Sequence, residues 1–226
     1  MRTIAIIPAG GKGKRSGLPA PKQYLLFKGK ELIAFTLSVF QKNKNVDEIV
    51  VAAAPEFFDL LKKIKKKYLI TKLKGFVEGG KERQHSVYNA LLSINAEKDD
   101  LIIVHDAARP LLPQEVLTGA IETAKQKGSA LVCVSGRDTL VRGTNFVEEY
   151  VSRQKINYVQ TPQIFKYSIL LRAMKKAGDE NFIGTDESIL VKRIGGKVNI
   201  VEGSILNFKI TTKADIVLFE KLIAKF

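Results

Sequence analysis

Four short apolar runs, each followed by a stretch with helical periodicity, dominate the order of this sequence. The runs are IAII at 4–7, IVVAAA at 49–54, LIIVH at 101–105 and ALVCV at 130–134. Strands and helices that alternate in this way form a largely parallel sheet, because each helix returns the chain to the same end of the sheet. The sequence therefore predicts an α/β fold in which a mostly parallel, twisted sheet is flanked by helices.

Two of the intervening segments show the helical period clearly. RQHSVYNALLSI places apolar residues on one helical face, and VLTGAIETAKQ at 116–126 repeats the pattern before Gly128 ends it. Both segments are predicted to cover the sheet. The residues of the first face are Val87, Ala90, Leu91 and Ile94.

The alternation of strand and helix patterns is interrupted between about 136 and 160. Polar and apolar residues alternate there around Gly143 and Asn145, which predicts an inserted hairpin or arm. The chain contains no repeat, low-complexity tract or linker. We therefore expect a single domain, residues 1–226, with an inserted arm at about 136–160.

Composition narrows the class of protein. Lys and Arg outnumber Asp and Glu by 37 to 23, giving a net charge of +14, which favours anionic partners. The densest basic stretch, LLKKIKKKYLI at 60–70, keeps apolar residues at helical spacing and is typical of a solvated helix face. No apolar run approaches the length of a membrane span and no secretory pattern is visible, so we expect no membrane partner and a cytoplasmic location. Cys133, the only cysteine, is expected to be a buried small hydrophobe.

The first strand leads into a glycine-rich loop, PAGGKGKRSGLPAPKQY. A glycine turn at this place offers backbone N–H groups to a phosphate. The dinucleotide pattern GxGxxG fails, because Ser16 stands at the third glycine after Gly11 and Gly13. The pattern GxxxxGK[ST] fails as well, because Arg15 follows Lys14. Tight NAD binding and a phosphate-loop ATPase are thus disfavoured, while an ordinary surface turn stays open as an alternative.

Other strand ends carry charged or small residues too. Asp106 follows LIIVH directly, where a carboxylate can hold Mg²⁺ that takes phosphate oxygens as further ligands; capping a turn before Pro110 is the alternative. GGKERQHSV places a glycine pair at a third strand end, and NFKIT brings Lys209 to a fourth. The chain shows no Ser-His-Asp order, no GxSxG and no Cys/His metal set. Phosphate chemistry is therefore favoured over acyl transfer and zinc hydrolysis, and His85 and His105 are expected to pack or hydrogen-bond.

An ordered set of motifs resembles one known family. PAGGKGKR with PKQY, GGKERQHSV, VHDAARP, RDT, TPQIF, TDES and EGSILNFKIT span nearly the whole chain. In this order they resemble the 2-C-methyl-D-erythritol 4-phosphate cytidylyltransferases of isoprenoid biosynthesis. The resemblance implies a Rossmann-like nucleotidyltransferase fold, CTP as co-substrate, Mg²⁺, pyrophosphate as co-product, and a homodimer in which the arm reaches the neighbouring active site.

The resemblance also implies a role for each matching residue. The implied catalytic residues are Arg15, Lys22 and Lys209, of which Arg15 and Lys22 are expected on the CTP phosphates. The implied CTP-binding residues are Pro8, Ala9, Gly10, Gly11, Gly13, Gly79, Gly80, Arg83 and Ser86. Asp106 is the implied Mg²⁺ ligand. Arg109, Thr139 and Arg153 are implied to bind the sugar phosphate, with the last two supplied by the partner subunit's arm.

Several residues depart from the family pattern. Gly10 stands where the family usually has alanine, a form associated with ribitol-5-phosphate cytidylyltransferases, and Lys81 and His85 stand where acidic residues are frequent. Phe208 replaces the usual Ile. A ribitol-5-phosphate cytidylyltransferase is therefore one alternative, and a guanylyl- or uridylyltransferase is a more distant one. A basic nucleic-acid-binding module is a third, supported only by the net charge, so a nucleic-acid partner is not expected.

Overall fold

A computed structural model describes residues 1–11 and 21–224. Seven strands form its main sheet, and four short strands form two separate pairs. The strands of the main sheet are β1 (Thr3–Pro8), β4 (Glu48–Ala53), β5 (Leu73–Glu78), β6 (Leu101–Val104), β7 (Ser129–Ser135), β10 (Asn157–Lys166) and β11 (Ile200–Glu202). The paired short strands are β2 (Leu26–Phe27) with β3 (Lys30–Glu31), and β8 (Leu140–Arg142) with β9 (Glu149–Val151).

The main sheet has the strand order β11-β7-β10-β6-β1-β4-β5. β10 is antiparallel to both β6 and β7, and the other neighbours pair in parallel. The apolar runs that predicted strands lie in β1, β4, β6 and β7, which confirms the mostly parallel sheet.

Helices cover both faces of this sheet. The helices are α1 (Leu32–Lys42), α2 (Phe58–Lys67), α3 (Arg83–Ser93), α4 (Gln114–Lys127), α5 (Tyr167–Asp179), α6 (Glu187–Arg193) and α7 (Lys213–Ile223). Apolar residues of α1, α2 and α4 pack into the core of one face, and those of α3, α5 and α6 into that of the other. A smaller cluster joins Phe219 of α7 to Phe27 and Leu32. The fold is the α/β architecture that the sequence predicts.

The two predicted covering helices are present. In α3, Val87, Ala90 and Leu91 are buried, and Ile94 caps the helix and packs against the same core. α4 ends at Gly128, whose φ of 79° lies in the left-handed region that glycine adopts at low cost. The lysine-rich stretch forms α2, which buries Leu61 and Ile64 and exposes most of its lysines, as expected of a solvated face.

The predicted arm differs from the structure at its end. β8 and β9 form a small hairpin with several exposed apolar side chains, but the last part of the predicted range, 157–160, belongs to β10 of the main sheet. Alternating polarity is the same in a projecting hairpin and in a long antiparallel strand, so the sequence pattern alone does not separate them. The segment that stands outside the main sheet is 136–156.

The described residues contain no helix that is both long and apolar enough to cross a membrane. The structure also explains why the lone cysteine is expected to be inert. Cys133 lies in the middle of β7 and is 2% exposed.

Burial raises the pKa of the Cys133 thiol to about 11. Because the thiolate is the reactive form, we expect the folded protein to react with a thiol reagent near pH 8 at least ~10²-fold more slowly than the guanidinium-unfolded chain. If the thiol reagent is one that releases a chromophore, the absorbance of that chromophore measures both reaction rates. Equal rates in the folded and unfolded protein would contradict the burial of this side chain.

Candidate active site

The site lies where the strand order reverses. After β1 the chain builds β4 and β5 on one side, and then crosses to β6 on the other side of β1. Open α/β sheets bind ligands at the carboxyl ends of the strands that flank such a reversal. A cleft of about 750 Å³ opens at this edge, a volume suited to a nucleotide. Its wall includes residues 8–11, Lys22, Gly80, Arg83, Asp106 and Lys209.

Two glycine segments meet in the wall of the cleft. The N–H of Gly79 donates to Ala53 O at 2.9 Å, which continues the hydrogen bonding of β5 beyond its last residue. A Cβ on Gly79 would lie 3.2 Å from Ser86 Oγ and 3.6 Å from Gly10 Cα, and a Cβ on Gly80 would lie 2.3 Å from His85 Cβ. Glycine is therefore required at Gly80, whereas a Cβ on Gly79 would press only on the Ser86 hydroxyl and make ordinary contact with Gly10.

Ser86 fastens the second glycine loop to α3. Its hydroxyl accepts a hydrogen bond from Gly80 N–H at 3.0 Å and donates to Glu82 O at 3.2 Å. Glu82 and His85 form a capping box at the start of the same helix. His85 is thus a hydrogen-bonding residue, as the sequence predicts, and Ser86 is engaged within the loop.

Asp106 is surrounded by three cations. Its Oδ1 accepts a hydrogen bond from Arg83 Nε at 3.0 Å, and its Oδ2 lies 2.9 Å from Lys209 Nζ and 3.5 Å from Arg109 Nε. Burial alone would raise the pKa of this carboxyl, but the charges of Arg83, Lys209 and Arg109 outweigh burial and hold the pKa well below its usual range. The carboxylate is therefore ionised throughout the physiological range. Its side chain faces cations, so it does not have the turn-capping role that was the alternative.

Arg83 bridges two carboxylates. Its Nη1 donates to Glu187 Oε1 at 2.7 Å, while its Nε is bound to Asp106. Burial opposes the charge on Arg83, but Glu187 and Asp106 outweigh burial and raise the pKa of the guanidinium. Burial likewise raises the pKa of Glu187, whose Oε2 has no hydrogen-bond partner among the described residues. Arg83 thus lies in the cleft wall already paired, and its predicted contact with CTP stays a prediction.

Lys209 lies in the loop 203–212 after β11, not at the end of a strand. A buried amide holds this loop. Asn207 Nδ2 donates to Thr161 O at 2.7 Å and to Gln160 Oε1 at 3.0 Å, and Asn207 O accepts from Arg109 Nη1 at 2.7 Å. These contacts place Lys209 against Asp106. Arg109 stands behind the carboxylate, outside the cleft wall.

His105 supports Asp106 from within the core. Its two ring nitrogens lie 3.1 Å from Thr161 Oγ1 and 3.1 Å from Arg109 O. Burial lowers the pKa of His105 to about 4, so the ring is neutral near pH 7. The Asp106 N–H donates to the same Thr161 hydroxyl at 3.1 Å. The prediction that His105 packs and hydrogen-bonds is confirmed.

The two arm residues lie apart from this cleft. Thr139 and Arg153 are exposed, and Arg153 donates a hydrogen bond to Arg137 O within the arm. Neither residue lines the cleft of its own chain. Gly13 and Arg15 lie outside the described residues, so their predicted roles are untested.

Comparison with known proteins decides the family. The family model for IspD, 2-C-methyl-D-erythritol 4-phosphate cytidylyltransferase, matches residues 3–225. The chain belongs to this family. It is 41% identical over 223 residues to the 2-C-methyl-D-erythritol 4-phosphate cytidylyltransferase of Geotalea uraniireducens, a match that covers 97% of this chain and 96% of that one.

Solved structures agree with this family assignment. The 2-C-methyl-D-erythritol 4-phosphate cytidylyltransferase of Francisella tularensis has a TM-score of 0.82 and 32% identity, covering 98% of this chain and 99% of that one. The enzyme of the same name from Thermus thermophilus has a TM-score of 0.81 and 30% identity, covering 99% and 100%. The predicted Rossmann-like nucleotidyltransferase fold is confirmed, and this chain is a cytidylyltransferase of isoprenoid biosynthesis.

Three buried residues of this cytidylyltransferase were not singled out from the sequence. They are Gln23 of PKQY, Glu187 of TDES and Asn207 of NFKIT. Each lies within a motif that carried the resemblance. Their place within these motifs was the only sign in the sequence that they matter to the site. Their hydrogen-bond and ion-pair partners could not be predicted, because those partners come from segments distant in sequence.

Proposed function

We propose that this enzyme transfers CMP from CTP to 2-C-methyl-D-erythritol 4-phosphate and releases pyrophosphate. The observation that carries the proposal is the family match across residues 3–225. The site geometry supports it, because one ionised carboxylate and three cations stand beside two glycine loops at the carboxyl edge of the sheet. Cations and backbone N–H groups are what a triphosphate requires.

The chemistry needs positioning and charge neutralisation more than a protein nucleophile. A phosphate monoester is anionic near neutral pH, so its oxygen attacks the α-phosphorus of CTP without a general base. The new bond joins that oxygen to the α-phosphorus, and the bond from the α-phosphorus to the bridging oxygen breaks. Pyrophosphate carries the electron pair away. Lys22 and Lys209, both in the cleft wall, stabilise the charge on the phosphate oxygens.

A divalent cation such as Mg²⁺ fits the chemistry of Asp106. Mg²⁺ is commonly held by one or two carboxylates together with substrate phosphates and water, and it neutralises charge on the transferring phosphate. Asp106 is an ionised carboxylate at the cleft wall, and the described residues contain no group of three or more acidic, His or Cys side chains arranged to hold a metal ion. We therefore propose that Asp106 is the residue that would hold such a cation, together with the phosphate oxygens of bound CTP.

Metal binding should accordingly depend on nucleotide. Because Arg83, Arg109 and Lys209 already face Asp106, a lone divalent cation meets three positive charges there. We expect Mn²⁺, titrated by electron paramagnetic resonance, to bind at least ~10-fold more tightly when CTP is present than to protein or CTP alone. Tight Mn²⁺ binding to the nucleotide-free enzyme would contradict this arrangement.

The direct test is pyrophosphate release with Mg²⁺ across CTP, UTP, GTP and ATP. Each nucleotide is paired with methylerythritol phosphate, with ribitol phosphate, or with no acceptor. Release only with CTP and methylerythritol phosphate is the expected result. Faster release with ribitol phosphate would leave the proposed mechanism unchanged and identify ribitol phosphate as the acceptor. Release with a nucleotide other than CTP would overturn the assignment of cytosine as the base.

Lys209→Ala should lower catalytic activity strongly and the free energy of unfolding only slightly. The side chain is 35% exposed, and Asp106 keeps two other cations, so we expect a loss of at most about 1 kcal/mol in the free energy of unfolding. Loss of a cation at the phosphates should lower kcat/KM for CTP by ~10²–10³-fold. Steady-state kinetics and urea unfolding measure the two effects. The surface variant Lys166→Ala, which removes a pair with Asp99, is the matched control and should leave kcat/KM unchanged.

We also propose a homodimer in which Thr139 and Arg153 of one arm bind the sugar phosphate in the neighbouring cleft. Their exposure and their position outside their own cleft support this. The whole chain would then act as a single domain with an arm, in the cytoplasm, where CTP is available. Analytical ultracentrifugation would measure the molar mass in solution and show whether the protein is a dimer.

Mixing Arg153→Ala with Lys209→Ala tests the arm directly. Each homodimer should be nearly inactive, but a hybrid has one cleft with Lys209 and with Arg153 of the partner subunit. We expect random subunit exchange to restore roughly a quarter of the wild-type activity, because half the dimers are hybrids and each has one intact site. No recovery after demonstrated exchange would place Arg153 in its own site or outside any site.

A further inference from the structure

We propose that Gln23 is the positioning residue of the glycine loop: its side-chain amide holds the carbonyl groups of Ala9 and Gly11 so that the loop presents N–H groups to the triphosphate. The inference rests on the proposed function, since it assumes that the cleft binds CTP. It concerns a residue that is buried beneath the loop and does not itself contact the substrate.

The geometry of Gln23 commits both hydrogens of its amide. Gln23 lies on the short 3-10 helix Lys22–Tyr24 and is 5% exposed. Its Nε2 lies 2.6 Å from Ala9 O and 2.9 Å from Gly11 O. A primary amide has two N–H donors, and the opposite orientation would set its oxygen against two carbonyl oxygens. The donors therefore face the loop.

This contact determines whether the loop presents backbone carbonyl oxygens or backbone N–H groups to the cleft. A backbone turn contains carbonyl groups, which repel an anion, as well as N–H groups, which attract it. Gln23 draws the oxygens of Ala9 and Gly11 towards itself. Within residues 1–11 and 21–224, the N–H groups of Gly10 and Gly11 have no hydrogen-bond partner, and these are the two groups that the proposal assigns to the phosphate.

Neighbouring contacts make the support rigid. The Ala9 N–H donates to Ala52 O at 2.6 Å, and the Tyr24 hydroxyl donates to Ala9 O at 3.3 Å. Ala9 is thus held between the end of β4 and the 3-10 helix. Lys22 precedes Gln23 on that helix and lines the cleft. A change at Gln23 would therefore disturb the part of the cleft wall formed by the first glycine loop and Lys22.

Two substitutions test the proposal. Gln23→Glu keeps the size of the side chain, removes both donors and sets a negative charge against the carbonyl oxygens. Gln23→Met removes the donors without adding charge. We expect the Kd for inorganic pyrophosphate to rise ~10–100-fold in Gln23→Met and further in Gln23→Glu, with kcat/KM for CTP falling by similar factors. The Kd for cytidine, which lacks phosphate, should stay within about twofold of wild type because no phosphate contact is involved.

Gln114→Met is the matched control. Gln114 bridges Val39 O and the Asn43 amide at the start of α4, remote from the cleft wall. It should lose a comparable part of the free energy of unfolding and keep wild-type pyrophosphate affinity and turnover. A loss of pyrophosphate affinity in this control would show a general effect of destabilisation and would overturn the proposal.

The outcomes separate this inference from the proposed function. Wild-type protein that turns over no nucleotide would defeat the function, while the pyrophosphate titration would still test Gln23. Variants that bind pyrophosphate as wild type does would overturn the inference alone. Equal losses for pyrophosphate and cytidine would overturn it as well, because they indicate general damage to the cleft. If Gln23→Glu does not fold, Gln23→Met decides.

Discussion

Asp106→Asn is expected to lower kcat/KM for CTP by at least ~10²–10³-fold, the scale of removing a charged group that acts on the transition state. The neutral amide cannot serve as an anionic metal ligand, and it no longer balances the cations at the cleft wall. Pyrophosphate release over a range of Mg²⁺ concentrations measures the effect. The loss should persist at saturating Mg²⁺, because the change removes the ligand's charge.

The same substitution should also destabilise the fold. Asp106 is the carboxylate that faces Lys209 and Arg109, and its loss leaves Arg109 buried without a counter-charge. We expect the free energy of unfolding to fall by about 2–4 kcal/mol. The effect should weaken as the pH falls through the acid range, because a carboxyl whose pKa is lowered by folding contributes its stability above the unfolded pKa and loses it on protonation.

Asp100→Asn is the matched control for Asp106→Asn. Asp100 is a buried carboxylate at the opposite end of β6, where it accepts hydrogen bonds from the N–H groups of Arg2 and Glu97. Its substitution should cost stability and leave kcat/KM unchanged. Equal kinetic losses at both positions would mean that the Asp106 effect is one of folding, and wild-type kinetics in Asp106→Asn would remove Asp106 from the chemistry.

Arg83→Met is expected to cost about 3–5 kcal/mol in the free energy of unfolding, measured by urea denaturation. Removing one member of a buried ion cluster leaves the others without compensation. Glu187 is 1% exposed and forms its ion pair with Arg83, so its carboxylate would remain buried without that counter-charge. Arg142→Met, which removes a guanidinium paired with Glu149 where both side chains are exposed, should cost about 1 kcal/mol or less.

A second substitution tests whether the uncompensated charge of Glu187 causes the loss of stability in Arg83→Met. Glu187→Gln in the Arg83→Met background removes the buried charge, so the double variant should be more stable than Arg83→Met alone. The deficit of Arg83→Met should also shrink as the pH falls. Burial raises the pKa of Glu187 in the folded state, so the folded chain binds a proton before the unfolded chain does. A deficit that is independent of pH and of Glu187 would refute this account.

The main alternation of strands and helices, and the position of Asp106 just after a buried strand, could be predicted from the sequence. Apolar runs and helical periods depend on neighbours within one element, and they located β1, β4, β6 and β7 together with α3 and α4. Asp106 was marked because it follows a buried strand directly. The ordered motifs then determined the family, because many local patterns agree along one chain.

Which side chains contact each other could not be predicted from the sequence. Arg83, Asp106, Glu187 and Lys209 come from four separate segments, and their ion cluster exists because α3, α6 and the loop after β11 pack at one edge of the sheet. The structure likewise decided that Arg109 stands behind the carboxylate and that 157–160 extend the sheet. Periodicity records which face of an element is buried, but the partner across that face depends on packing between elements distant in sequence.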